Sequence, residues 1–407
     1  MPLTPIQASH DEPPPAAPRS LRLPLDPLLT LAVIGLAIVS LVNLAAATRN
    51  SLPGQPHYYV DRQAIYLTVG LLFMLVLSRI DYARLRRYKN AIYAALILSI
   101  LAVLAAGHSA EGATRAIKFP LFSFQASEIG KVLLTLALAA FVVDRSRQLR
   151  ESDTTVRVMI AALVPAMLVI AQPDLGSGMV YVVIAFMLLF VAGTSWRHIA
   201  ALFALVAVSV TFVLVAAPAA GVKVLKPYQV ARLTAFLHPA STAQQEQEAK
   251  HGELDPTYQQ QESKIAIGAG QKTGRGNQAS QIPDGFVPES STDFIFAALG
   301  ERYGFVGAGL VLALYALLIS RALRVLVMSK DLFGSLIAAG VAAMLMFQVF
   351  VNVGMTIGIM PITGVTLPLM SYGGSSVITT LLAVGLLQSI YVQARASAAL
   401  KGRVLRD

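Results

Sequence analysis

Three features of this chain have residue types and spacings that could carry chemistry. They are a carboxylate at the end of a long polar stretch, an acid–base pair one helical turn apart, and cations set among apolar segments. The carboxylate is Asp293, in VPESSTDFIF at 287–296. Phe294, Ile295 and Phe296 follow it, so water thins out there. A carboxylate moved toward low dielectric is expected to hold its proton more tightly, which suits a general base near neutral pH. The same residue could instead cap a following helix. Glu289 lies four residues earlier, but Pro288 beside it works against a helix that would pair the two.

Glu128 and Lys131 stand at i and i+3, which places them on one face of a helix. They read either as a helix start favoured by its dipole or as an intramembrane ion pair facing a cavity. Asp174, in QPDLGSG, sits between two apolar runs and reads first as an N-cap. Arg115, Lys118, Lys131, Arg232, Lys264, Lys272 and Arg275 are cations on or near one side of the chain's apolar segments. Such a gathering fits an anionic ligand such as a phosphate, which Arg grips through paired hydrogen bonds; simple solvation of loop charges is the alternative. SYGGSS at 371–376 is either a plain N-cap with flexible glycines or a backbone nest that holds an anion.

Other chemistries are excluded. The chain has no Cys, so disulfides, zinc–thiolate sites and thiol catalysis are out. Its 6 His show no HExxH or paired spacing. No Ser-His-Asp set or GxSxG elbow accompanies the serines.

The elements that must position these groups are membrane spans. Of 407 residues, 56% are hydrophobic and 13% charged. The apolar residues come in blocks near 28–47, 64–78, 91–107, 129–143, 158–171, 178–193, 199–217, 305–320, 332–351 and 375–393, each near the length that crosses a hydrocarbon core of about 30 Å. The expected fold is therefore an all-α membrane protein of about ten transmembrane helices. Arg79, Arg84, Arg86, Arg87 and Lys89, then Arg145, Arg147, Arg150 and Arg157, then Arg197, then Arg321, Arg324 and Lys330 fall in alternate connections. With the basic residues of both tails they are expected on the cytoplasmic side, both termini included. The net charge of +10 then reflects topology, and no nucleic-acid partner is needed to explain it.

Residues 1–24 read as a disordered cytoplasmic tail, 25–393 as one polytopic domain and 394–407 as a second tail. The apolar run after Arg22 is too long for a cleavable signal core, so it reads as an uncleaved span. On the opposite side lie a loop at 108–128 and a large loop at 218–292. Within the latter, 243–261 is Gln-rich and expected to be weakly structured, and 263–276 to be partly ordered. The Pro- and Gly-rich stretch 352–374 reads as broken backbone lining a site. No internal repeat is evident, which weighs against an inverted-repeat transporter.

Six segments in order carry a family resemblance: GATRAIKFPLFSFQASEIGK (112–131), QPDLGSG (172–178), LKPYQVARLTAFLHP (225–239), ESKIAIGAG (262–270), VPESSTDFIFAALGERYGFVG (287–307) and NVGMTIGIMPITGVTLPLMSYGGSS (352–376). With them the chain resembles the shape, elongation, division and sporulation (SEDS) family of RodA and FtsW, and looks closer to its RodA-type members. It departs from the family pattern at Ala116, Ala126, Glu262, Gln271 and Arg302, while the motif with Asp293 is intact. The resemblance implies a peptidoglycan glycosyltransferase that polymerises lipid II on an undecaprenyl-diphosphate-linked glycan, at the outer face of the bacterial cytoplasmic membrane. A class B penicillin-binding protein is the implied partner. Asp293 then matches the essential aspartate of the large outer loop, while Arg115, Glu128 and Lys131 match the polar cluster of the first outer loop and fourth span. Asp174, Tyr228, Arg232, Ser371, Tyr372, Gly373, Gly374 and Ser375 match further motif positions. Lys118 and Lys264 join them as candidate substrate-binding cations. A divalent cation could share the charge, but no clear ligand set is visible. A lipid II flippase is the rival reading, disfavoured because the unusual charges concentrate on one face.

Overall fold

The computed structural model describes residues 25–49, 55, 57–106, 108–110, 113–118, 123–148, 151–212, 256–279 and 291–404. The expected tail 1–24 and most of the loop 218–292 lie outside them. Helices α1 (Pro27–Ala47), α2 (Tyr58–Arg79), α3 (Lys89–Ala106), α4 (Ala126–Asp144), α5 (Ser152–Ala171), α6 (Leu175–Val191) and α7 (Trp196–Thr211) fill the first half. The second half holds α8 (Pro256–Gly270), α9 (Ile295–Met328), α10 (Leu332–Thr356) and α11 (Gly374–Val404). Eight helices are long and apolar enough to span a membrane, and α6 together with 196–208 in α7 are shorter apolar helices. They coincide in position with the ten apolar segments. The segment expected as a tail from 394 continues α11 as a helix to Val404.

Large apolar side chains face outward along these helices, as a lipid solvent allows. On α1, Leu28, Leu31, Ile34, Ile38 and Val42 form one exposed stripe. Leu29, Val33, Leu36 and Leu44 turn inward. α4, α10 and α11 are mostly buried and form the centre, whereas α2 and α3 are mostly exposed.

The loop at 108–128 contains a small antiparallel sheet of order β1 (His108–Ala110), β2 (Ala113–Lys118) and β3 (Ser123–Phe124), followed directly by α4. Ile117 pairs with Phe124 and Lys118 with Ser123.

The Gln-rich stretch is more ordered than its composition implied, because α8 begins at Pro256 within it. Its polar side chains have backbone to bind. Gln260 Nε2 donates to the carbonyls of Met355 and Met360 at 3.0 Å each, and Ser263 Oγ to that of Thr356 at 2.9 Å. Those carbonyls lie where α10 ends, and the orphan acceptors of a helix end need such donors.

α9 is two helices joined at a kink on Gly304, whose φ of 63° and ψ of −161° are open essentially to glycine alone. A Cβ there would meet Gly274 N at 2.4 Å. The kink frees the first amides of the second half, and α8's end satisfies them. Phe305 N donates to Gln271 O at 2.9 Å and Val306 N to Lys272 O at 3.1 Å. The apolar segment expected to begin at 305 thus starts at the kink, preceded by a buried helical turn over 295–300.

Candidate active site

Between α10 and α11 the chain runs without helix from Ile357 to Gly373, largely buried. Unwound backbone at membrane depth requires partners for its amides and carbonyls, and side chains from four helices supply them. Ser40 Oγ on α1 donates to Met370 O at 3.2 Å. Gln63 Nε2 on α2 donates to Ser371 O at 3.2 Å, and Gln63 Oε1 accepts from Gly373 N at 3.4 Å. The Tyr315 hydroxyl on α9 donates to Pro368 O at 2.5 Å, and Asn352 Nδ2 on α10 to Val365 O at 2.7 Å. Leu369 within it has φ 65°, an outlier for a bulky residue that this surrounding network maintains.

That segment and α10 together hold the loop with Asp293 in place. Tyr372 N donates to Ser291 O at 2.8 Å, Ser371 Oγ to Thr292 O at 2.6 Å, and Asn352 Nδ2 to Asp293 O at 2.8 Å. Three consecutive carbonyls are thereby fixed. Asp293 itself is half-buried beside fully buried Phe294, which occupies the N-cap position of α9, so the cap position belongs to its neighbour.

The first turn of α11, which follows that segment directly, anchors the entry to α4. Ser375 Oγ donates to Ser123 O at 2.7 Å and accepts from Gln125 N at 3.0 Å. Ser375 and Tyr372 are three residues apart, so their anchoring points lie within about 11 Å along the chain. Asp174 adds a third element. It caps α6 through Ser177 N at 3.0 Å, as its sequence position implied. It also accepts from Ser127 Oγ at 2.8 Å and Gln125 Nε2 at 3.1 Å. Just below, Lys131 Nζ donates to Glu128 Oε1 at 2.5 Å, with Lys131 1% and Glu128 5% exposed. The two groups thus form an ion pair in the first turns of α4, enclosed by protein rather than facing a cavity. The Tyr181 hydroxyl donates to Ser127 O at 3.1 Å, and at Gly130 a Cβ would collide with it.

Asp293, Glu128, Lys131, Asp174, Ser371, Tyr372, Gly373, Gly374 and Ser375 therefore belong to one connected region. Lys264 is exposed on α8, its stem against Gly358 at the start of the unwound segment. Arg115 and Lys118 lie on β2, with their side chains outside the described residues, as are Tyr228 and Arg232 altogether.

Sequence reading missed the amides Gln63 and Asn352 and a ring cluster on α2. The Tyr59 and Tyr372 rings meet edge-on at 5.0 Å, Tyr66 and Tyr372 lie 6.2 Å apart, and the Arg62 guanidinium stacks on Tyr58 at 4.5 Å. Among the described residues no three His, Cys, Asp or Glu cluster as metal ligands.

Comparison with known proteins agrees with this architecture. The FTSW_RODA_SPOVE family, described as cell cycle protein, matches residues 24–396. A probable peptidoglycan glycosyltransferase FtsW from Thioalkalivibrio sulfidiphilus is 35% identical over 393 residues, 93% of each chain. The peptidoglycan glycosyltransferase MrdB of Escherichia coli is 34% identical, over 90% of this chain and 93% of that one. Among solved structures, one described as the structural coordination of polymerization and crosslinking by a peptidoglycan synthase complex superposes with TM-score 0.74 and 31% identity, over 91% of this chain and 99% of that one. The rod shape determining protein RodA of Thermus thermophilus superposes with TM-score 0.64 and 28% identity, over 92% and 97%.

Proposed function

This chain belongs to the FtsW/RodA/SpoVE family of cell cycle proteins, and from that premise we propose a peptidoglycan glycosyltransferase that polymerises lipid II into glycan strands. It works at the outer face of the bacterial cytoplasmic membrane, for elongation or division, with the basic connections and both termini in the cytoplasm. The observation that carries the reading is the junction of the unwound segment with α11, where Ser371 and Tyr372 hold the Asp293 loop and Ser375 holds the α4 entry.

In the reaction, the 4-hydroxyl oxygen of one sugar attacks the anomeric carbon of another, and its proton passes to Asp293. The bond from that carbon to the diphosphate oxygen breaks, its electron pair leaves with undecaprenyl diphosphate, and the configuration inverts. The developing charge needs fixed cations. Arg115 and Arg232 are assigned that task. Lys131, neutralised by Glu128 and enclosed, acts as a positioning residue at the head of α4. A class B penicillin-binding protein crosslinks the product.

The test places the full chain in proteoliposomes with lipid II supplied outside only. Lengthening of the lipid-linked glycan supports the reading. Passage of lipid II to the interior without lengthening would establish a flippase and overturn it.

Asn352 offers a further check. Asn352→Leu keeps the number of side-chain heavy atoms and the branch at Cγ but removes the donor shared by the Asp293 and Val365 carbonyls. A displacement of about 1 Å at the base costs on the order of 100-fold in rate. The polymerisation rate constant is expected to fall by that order, with KM little changed.

A further inference from the structure

At the far end of α4 from the Glu128–Lys131 pair, α3, α4 and α5 leave a groove of about 440 Å³. Arg145 is 14 residues beyond Lys131, about 21 Å along a helix, so the groove is remote from Asp174 and the unwound segment. Lys89, Arg145 and Arg157 line its mouth, and Ala137, Phe141 and Ala161 line its interior. The two alanines leave the space. Tyr93 braces it by donating to Ala161 O at 3.0 Å. An open apolar face of α5 shares Ile160 and continues over Leu163, Val164, Met167 and Leu168.

Charge at the mouth is only partly answered. Lys89 and Arg86 share the single carboxylate of Asp144, and Arg157 pairs with exposed Asp153 at 2.9 Å. Arg145 lies over the Phe141 ring at 3.9 Å and has no acidic partner among the described residues. A surplus of positive charge thus sits on an apolar trough.

The dimensions select the occupant. From Arg157 to Leu168 is eleven residues, about 16 Å of helix, and one leaflet's hydrocarbon is about 15 Å deep. Ile160, Val164 and Met167 are exposed along that length. Basic pockets between spanning helices near the cytoplasmic surface bind anionic headgroups. We propose that this groove binds an anionic phospholipid, its phosphodiester between Arg145 and Arg157 and one acyl chain laid along α5. The proposal rests on the membrane assignment and is independent of glycosyl transfer.

The test is native mass spectrometry of the full chain in detergent with equimolar phosphatidylglycerol and phosphatidylcholine. Phosphatidylglycerol is expected to be retained preferentially. Each cation near the surface contributes about fivefold, so Arg145→Gln and Arg157→Gln are each expected to lower that preference about fivefold. Neither change strands a buried carboxylate, since Asp153 is exposed. Ala161→Leu, which fills the trough without altering charge, is expected to reduce retention of both lipids, with the melting temperature as the check on folding. Arg84→Gln, an exposed cation outside the groove, is expected to have no effect. Equal retention of the two lipids would overturn the proposal. So would an Arg84→Gln effect equal to that of Arg145→Gln, which would mean a diffuse basic surface. Displacement of the lipid by glycerol phosphate at equal concentration would likewise overturn it, since the trough would then contribute nothing.

Discussion

Asp293→Asn is expected to lower polymerisation of purified lipid II by about 10²- to 10⁴-fold, the range general-base removal commonly produces. The fold should survive, because three of the contacts that fix this position use backbone. Asn352 and Ser371 donate to the carbonyls of Asp293 and Thr292, and Tyr372 N to that of Ser291. An amide of the same shape leaves all three in place, so the melting temperature is expected to stay close to that of the unaltered chain. Asp293→Glu keeps the carboxylate but moves it by about a bond length, which predicts a loss on the order of 100-fold. A folded Asp293→Asn protein that polymerised at the original rate would remove Asp293 from the chemistry.

The spans were legible because lipid-facing helices must be apolar over their whole length, and blocks such as 28–47 and 332–351 have no other physical use. The non-helical stretch after α10 was legible in part, since Pro361 and Pro368 interrupt a helix and Gly358 and Gly364 take positive φ, whereas its expected start, 352–356, is helical and belongs to α10. Helix α8 was not. Its glutamines look solvent-seeking by composition, yet Gln260 and Ser263 spend their hydrogen bonds on carbonyls at the end of α10. A helix whose partner is broken backbone has polar residues where hydropathy expects apolar ones. Gln63 escaped for the same reason, its bonds reaching Ser371 and Gly373 some 310 residues away. Asp174 shows the limit from the other side. Capping was readable from its place before α6, whereas its bond to Ser127 on α4 depends on how two helix starts meet.

Breaking the Glu128–Lys131 pair is expected to have the second large effect, and it separates packing from function. Glu128→Gln leaves a nearly inaccessible ammonium without its counter-charge, as Lys131→Met does for the carboxylate. Removing one partner of a buried pair costs about 3–5 kcal/mol, whereas replacing both with residues of similar size is often neutral or stabilising. Each single variant is therefore expected to melt well below the original chain in detergent, and Glu128→Gln/Lys131→Met to recover. The neighbouring scaffold favours that recovery, since Ser127, Asp174, Tyr181 and Ser375 fix the α4 entry through bonds that involve neither charge. Stability thus gives the chain little reason to hold two ions in low dielectric, and charges so placed are functional by default. The double variant is accordingly expected to fold while polymerising at least tenfold more slowly. Polymerisation at the original rate by that variant would reduce the pair to a packing feature and withdraw Lys131 from the site.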